Sequence, residues 1–247
     1  GFAAEHSTLR LWVAECDIRG FFDSVSHDVT RRELFALLAE AGAPSDPRPL
    51  EFLESFFAGY DYRGARQKAT EQLAKRNILQ PDIYDPDKAL KEAHLPIRPG
   101  TRIGIPQGSA FSSVLANVVL TKADRALRAS IAAHRASFYA RYVDDIVLAS
   151  TNRRVAKGAM NAYRRALRAL ELPDHHPETI DTTFTGASRP YWKAKSKAPY
   201  RWSLPGQPGI EWIGFLGYQM KRVPMPVSER EVPLPDSPPT ARMPGSS

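Results

Sequence analysis

Tyr142-Val143-Asp144-Asp145 constrains this chain more than any other four residues. The stretches SFYARYV and IVLAS flank the acidic pair and read as two short strands joined across Asp144-Asp145. Adjacent aspartates between buried strands cannot stay in the interior as unpaired anions. Either they lie at a solvated hairpin tip, where Asp is common, or they serve a site that needs paired carboxylates. A second acidic element favours the site. Leu9, Leu11 and Val13 alternate with Arg10, Trp12 and Ala14 in a strand over 9–16 that ends at Asp17. Three carboxylates converging from strand ends offer hard oxygen ligands to two divalent cations that remain partly hydrated. Two such ions, roughly 3.5–4 Å apart, suit an in-line displacement at phosphorus.

A third element carries chemistry of a compatible kind. Gly104-Ile105-Pro106-Gln107-Gly108 reads as a turn opening a long helix over about 109–130, and turn amides with a helix N-terminus suit phosphate or base-edge contacts. Charge agrees with such a partner. The 247 residues hold 34 Lys+Arg against 27 Asp+Glu, a net charge of +7, which is compatible with a polyanion. No apolar run reaches the ~18–20 residues of a membrane span, and no basic-then-apolar leader opens the sequence, so the expected location is cytoplasmic. The single cysteine, Cys16, excludes an intramolecular disulfide and a cysteine-rich zinc site.

The remaining pattern is α+β. A helix is expected over 28–40, with Ser26 and Asp28 as N-caps, Leu34, Leu37 and Leu38 inward and Gly42 as its stop. Pro44, Pro47 and Pro49 precede a short apolar helix, and 60–103 reads as an inserted, partly solvated subdomain. A basic amphipathic helix is expected over 153–170, with Val155, Met160, Tyr163, Leu167 and Leu170 recurring at helical spacing. A strand pattern follows over 210–220. Residues 223–247, rich in proline, read as a disordered tail. Between Arg189 and Trp202 stand five basic residues (Arg189, Lys193, Lys195, Lys197, Arg201) and four aromatics, with no acid. Basic side chains track phosphates while aromatic faces stack bases.

Three segments in order, CDIRGFFDSVSHD (16–28), GIPQGSAFSSVLANVVL (104–120) and RYVDDIVLAS (141–150), resemble motifs A, B and C of reverse transcriptases. EWIGFLGYQM (211–220) resembles the primer-grip strand of the same family. The resemblance implies a right-hand polymerase palm: an antiparallel sheet with helices packed on one face, formed by 1–59 and 104–222 around the fingers-like insertion at 60–103. It implies a nucleotidyltransferase that adds deoxynucleotides to a DNA or RNA primer on an RNA template, using two Mg2+ ions, with Mn2+ as a substitute. Asp17, Asp144 and Asp145, with the Ile18 carbonyl, would hold the ions. Phe22 would be the aromatic gate that excludes a ribose 2′-hydroxyl. Arg19, Gln107 and Gly108 would bind the dNTP. Tyr142, Phe215, Leu216 and Gly217 would meet the primer, and Lys193, Lys195, Lys197 and Arg201 the nucleic-acid backbone.

The stretch from Lys195 to Trp202, followed by FLGY, is similar to defence-associated bacterial reverse transcriptases, which implies a role in antiviral defence. Two departures from the family pattern stand out. Only 16 residues precede Asp17 and no thumb follows Arg222, so fingers and thumb are expected from another chain or a missing segment. The stretch that ends motif D reads Leu172-Pro173-Asp174-His175-His176 without the family's lysine, leaving the two histidines as possible proton donors. An untemplated or protein-primed DNA polymerase, and a non-catalytic RNA-binding palm subunit, remain as alternatives.

Overall fold

The computed structural model describes residues 9–76, 83–98, 100–175, 198–216 and 218–223. Strand β1 (Leu11–Cys16) leads into a one-turn helix α1 (Phe21–Ser24), then α2 (His27–Glu40) and α3 (Arg48–Ala58). The insertion supplies α4 (Tyr62–Lys75) and α5 (Pro86–Glu92). A long helix α6 (Ala110–Ile131), the hairpin β2 (Ser137–Tyr142) and β3 (Asp145–Ser150), and helix α7 (Arg153–Ala169) follow. Strands β4 (Tyr200–Trp202), β5 (Trp212–Phe215) and β6 (Tyr218–Lys221) complete the described chain.

The main sheet has the antiparallel order β2-β3-β1-β4, so β1, the first strand in sequence, sits inside it. Its residues divide by parity, as a strand's period of two requires. Ala14 and Cys16 join Ile146 and Leu148 of β3 in a core with α6 and α7, while Leu11 and Val13 join Val147, Ala149, Tyr200, Trp202 and Ile213 on the other face. Sequence alternation requires at least one buried face; the structure buries both. On the helical face, Ala156, Ala159, Met160 and Tyr163 of α7 meet a core that includes Leu115, Val119, Leu120 and Ala123 of α6. Alanine at the contact lets two helices approach closely.

The helix boundaries follow their caps. The Ser26 side chain accepts the Val29 N–H at 3.4 Å, and Gly42, at φ 74°, follows the end of α2. Asn152 accepts the Arg154 and Val155 N–H groups to start α7. Asp61 and Asp85 cap α4 and α5. Three expectations shift. Asp145 belongs to β3, so the hairpin turns on Val143-Asp144 and not on the two aspartates. The stretch 210–220 is not one strand: β5 and β6 form a hairpin in which Phe215 pairs with Tyr218, because Leu216 takes φ 54° and turns the chain. In α2, Leu34 packs on the core but Leu37 and Leu38 are only half-buried, and Glu33 is buried beside them. The acidic, proline-rich part of the insertion contains α5, which buries Pro86, Ala89 and Leu90.

His27, 1% exposed, ties the chain after β1 to the segment before α6. Its backbone N–H donates to the Arg102 carbonyl at 3.1 Å, its Nε2 lies 2.8 Å from the Gly104 carbonyl, and its ring stacks on Phe57 with centroids 3.7 Å apart. An Nε2–H donor to that carbonyl leaves Nδ1 as an acceptor, and among the described residues the buried Nδ1 has no hydrogen-bond partner. Burial pushes the His27 pKa down, Arg102 and Arg31 reinforce it, and the Gly104 hydrogen bond and Asp61 oppose it. A depressed histidine pKa means the folded state binds fewer protons than the unfolded chain. His27 therefore contributes fully above about pH 6.5, and its contribution falls as pH drops toward the folded value. His27→Ala is expected to cost roughly 3 kcal/mol near neutral pH, through the lost stack and the stranded carbonyl. Urea unfolding of wild type and variant should show that gap narrowing between about pH 7 and pH 5; a gap that does not change with pH rules out the titration.

Candidate active site

The register of β1 with β3 determines where the acidic residues fall. Cys16 pairs with Ile146, so one further step sets Asp17 opposite Asp145 at the same end of the sheet. Asp144 lies one residue beyond, in the two-residue turn between Tyr142 and Asp145. All three are half-buried. On the other edge of the chain after β1, Ile18 bridges Asp174, with Arg19 N–H donating to the Pro173 carbonyl at 2.9 Å and His175 N–H to the Asp17 carbonyl at 3.1 Å. That pattern uses the Asp17 carbonyl and the Arg19 N–H on either side of Ile18 and turns Ile18's own carbonyl toward the β3 edge. It also brings His175 Nε2 to 3.8 Å from an Asp17 carboxylate oxygen.

The tip is held by residues that motif reading passes over. Arg141 donates through Nε and Nη2 to the two Asp124 oxygens, at 2.8 and 2.6 Å, and through Nη1 to the Val143 carbonyl at 2.8 Å. Tyr139 donates its hydroxyl to the same carboxylate, and Asn117 accepts a further bond from Nη2 at 3.1 Å. The Arg141 and Asp124 side chains are 9% and 15% exposed, so this is a buried, bidentate pair. Desolvation and the Asp124 hydrogen bond raise the Tyr139 pKa, which keeps its hydroxyl protonated as a donor. Val143 takes φ 54°, a left-handed conformation that a β-branched residue adopts only under constraint. The bond from Arg141 to its carbonyl is part of that constraint.

Behind the acidic end, 22–27 is laced to 102–105. Ile105 N–H donates to the Phe22 carbonyl at 2.7 Å and Gly104 N–H to the Val25 carbonyl at 2.8 Å. Phe22, half-buried and edge-on to Phe21, is thus bonded two residues before exposed Gln107 and three before exposed Gly108 in the turn before α6. Gly108 has φ 82°, which favours glycine, and the Ser112 hydroxyl donates to the Pro106 carbonyl to hold the turn on the helix. Arg19 forms an ion pair with Glu92 of α5. Tyr84, also from the insertion, donates to the Arg19 carbonyl at 2.9 Å and lies over Gly20, where an added Cβ would come within 2.4 Å of the ring. Gly20 is thus required by φ 54° and by that contact together.

The β5–β6 hairpin covers the sheet face away from α6 and α7 and exposes Leu216 and Tyr218, with Phe215 half-buried. Buried Arg222 fastens its end by donating to the Trp202 carbonyl at 2.9 Å and the Leu9 carbonyl at 3.0 Å. Tyr142 is exposed beside the acidic tip. Arg201, in β4, lies within hydrogen-bonding reach of Gln207. Lys193, Lys195, Lys197, Gly217, His176 and the 223–247 tail, except Val223, lie outside the described residues.

Mg2+ prefers carboxylate oxygens, and Asp17 and Asp145 on neighbouring strand ends supply that donor type. Among the described residues no three His, Cys, Asp or Glu side chains are gathered into a ready cation site. The register sets Asp17 and Asp145 at the same end of neighbouring strands, and the three aspartates do not form a closed cluster. Asp124→Asn should cost roughly 3 kcal/mol by leaving the buried Arg141 charge uncompensated, whereas Tyr139→Phe should cost about 1 kcal/mol. Denaturant unfolding measures both, and a loss under about 1 kcal/mol for Asp124→Asn would show the clamp to be dispensable.

A family model described as reverse transcriptase (RNA-dependent DNA polymerase) matches residues 2–175. That span contains β1, the insertion, the turn before α6, the acidic hairpin and α7. No curated protein matches the chain. Among the described residues no helix is long and apolar enough to cross a membrane. The antiparallel sheet with its packed helices fits a polymerase palm, and the match covers well over half of the sequence: this chain belongs to the reverse transcriptase family.

Proposed function

We propose that the chain is a reverse transcriptase palm that extends a primer 3′ end with deoxynucleotides copied from RNA, and that its acidic strand ends are the catalytic centre. The observation that carries this reading is the β1–β3 register, which sets Asp17 opposite Asp145 within the span matched to the family. Asp17, Asp144 and Asp145, with the Ile18 carbonyl, are the residues that would hold two Mg2+ or Mn2+ ions. When bound, such ions supply the charge that activates the primer hydroxyl and offsets the leaving pyrophosphate. Arg141 and Asp124 hold the tip at fixed geometry, so that Asp144 and Asp145 need little reorganisation.

Phe22 lies under the sugar as the steric gate, and Gln107 and Gly108 line the nucleotide pocket beside it. Arg19 serves the triphosphate by exchanging Glu92 for phosphate oxygens, since its guanidinium is already paired in the free protein. Phe215, Leu216 and Gly217 at the β5–β6 turn, with Tyr142, place the primer end. Lys193, Lys195, Lys197 and Arg201 track the nucleic-acid backbone. The insertion at 60–103 acts as a fingers-like subdomain. The likeness of 195–202 to defence-associated enzymes supports a role in bacterial antiviral defence.

Asp144→Ala with Asp145→Ala should abolish dNTP incorporation on an RNA template while leaving the fold intact. Normal incorporation by that variant would sink the assignment. Phe22→Ala should admit ribonucleotides, read as a fall of the dNTP-over-rNTP ratio in kcat/KM by at least about tenfold, or about 1.4 kcal/mol. Sequencing the product separates templated from untemplated synthesis, because a homopolymer would contradict copying.

A further inference from the structure

Helix α7 carries Arg153, Arg154, Lys157, Arg164, Arg165 and Arg168 and no acid, so one helix holds +6 in a chain whose net charge is +7. Several surface cations elsewhere are paired, as in Arg31 with Glu54, Arg98 with Glu171 and Arg125 with Glu40. On α7 Arg164 meets Asp174 and Arg153 lies over the Trp12 ring. Among the described residues Arg154, Lys157, Arg165 and Arg168 are exposed and meet no carboxylate. At 3.6 residues per turn these four fall within an arc of about 80° and span about 21 Å. They form two rows, Arg154 with Arg165 and Lys157 with Arg168. Like charges at this spacing oppose helix formation, so the face is not explained by stability.

We infer that the outer face of α7 is a second nucleic-acid site, which holds a base-paired segment of the RNA. The inference rests on the reading that the chain copies RNA. The opposite face of α7, with Ala156, Met160, Tyr163 and Leu167, is buried in the core, so the helix has no apolar face to lay into a membrane. The exposed face has no aromatic residue for stacking unpaired bases, which leaves phosphate contact as its chemistry. Two rows of cations suit the two backbones that flank the narrow major groove of an A-form duplex. The face lies on the side of the sheet away from the β5–β6 hairpin, so it does not compete with the primer grip.

The test uses the full chain and a labelled RNA hairpin, with anisotropy measured across a salt series. Replacing Arg154, Lys157, Arg165 and Arg168 together by Ala should make the slope of log affinity against log salt shallower by about 3, since each phosphate contact contributes roughly 0.7–0.9. Arg154→Lys, Arg165→Lys and Arg168→Lys together should keep the wild-type slope, which excludes a folding defect at these positions. Primer extension on a short unstructured template should be unchanged in both variants. An unchanged slope in the Ala variant overturns the proposal. So does a dependence on these four cations that appears with duplex DNA, an acidic protein or phosphatidylserine vesicles and not with RNA. Failure of the wild type to extend any primer, with the salt slope still dependent on α7, would count against the polymerase reading and not against the site.

Discussion

The pairing of β1 with β3 is the constraint on which the rest of the structure depends. Both faces of β1 are buried, so a one-residue slip would exchange Leu11 and Val13 with Ala14 and Cys16 between two cores of different shape. A two-residue slip preserves the faces but is blocked by charge. In one direction Asp145 would oppose Glu15, which is 3% exposed and already a buried acid. In the other, Asp17 would move opposite Val147, into the buried part of the sheet. Either shift puts a carboxylate where its desolvation is uncompensated. The acidic residues thus help to fix the register that brings them together.

What the register places, electrostatics holds. A hairpin turn with Val143 at φ 54° is unfavourable for a β-branched residue, and the compensation lies outside the turn. Arg141 bonds the Val143 carbonyl with the same guanidinium that grips Asp124, and Tyr139 completes the carboxylate's partners. A buried ion pair adds little net stability over a well-packed apolar pair, but breaking it is costly. Its value here is positional: it ties the turn to α6, which continues from the Gln107–Gly108 turn.

The elements most legible in the sequence were those with local causes. Ser26 and Gly42 mark helix ends by chemistry that needs only neighbouring residues, and the helical spacing from Val155 to Leu170 marks α7. The acidic pair and its flanking strands were visible for the same reason, although the turn fell one residue earlier. That shift depends on Asp145 joining the β2–β3 ladder, which sequence alternation cannot distinguish from a tip position. The 210–220 stretch read as one strand because nothing in Phe215-Leu216-Gly217 marks a left-handed Leu216. Tyr84, Glu92, Asp124 and Arg141 escaped notice because their roles are long-range. Asp124 looks like any polar residue on the exposed side of a helix until Arg141 is folded against it.

The short segment after β1 shows why such residues matter. Its backbone is bonded at Arg19 by Pro173 and by Tyr84, its glycine is covered by the Tyr84 ring, and its arginine is paired with Glu92. Tyr84 and Glu92 lie 65 and 73 residues from Arg19 in the chain, and Pro173 lies further still. Contacts of such separation form late, because closing long loops costs entropy before the contacts compensate it. The tip that carries Asp144 and Asp145 is therefore set by the local β2–β3 hairpin, whereas the loop that presents Asp17, Ile18 and Arg19 is set only when β1 has paired with β3 and the insertion and the chain after α7 have docked. Weakening either docking segment changes the geometry around Asp17 without touching an aspartate. The insertion, with no buried residue on α4, then has a structural reason to be present. It supplies, through Tyr84 and Glu92, one of the two walls that hold the loop after β1.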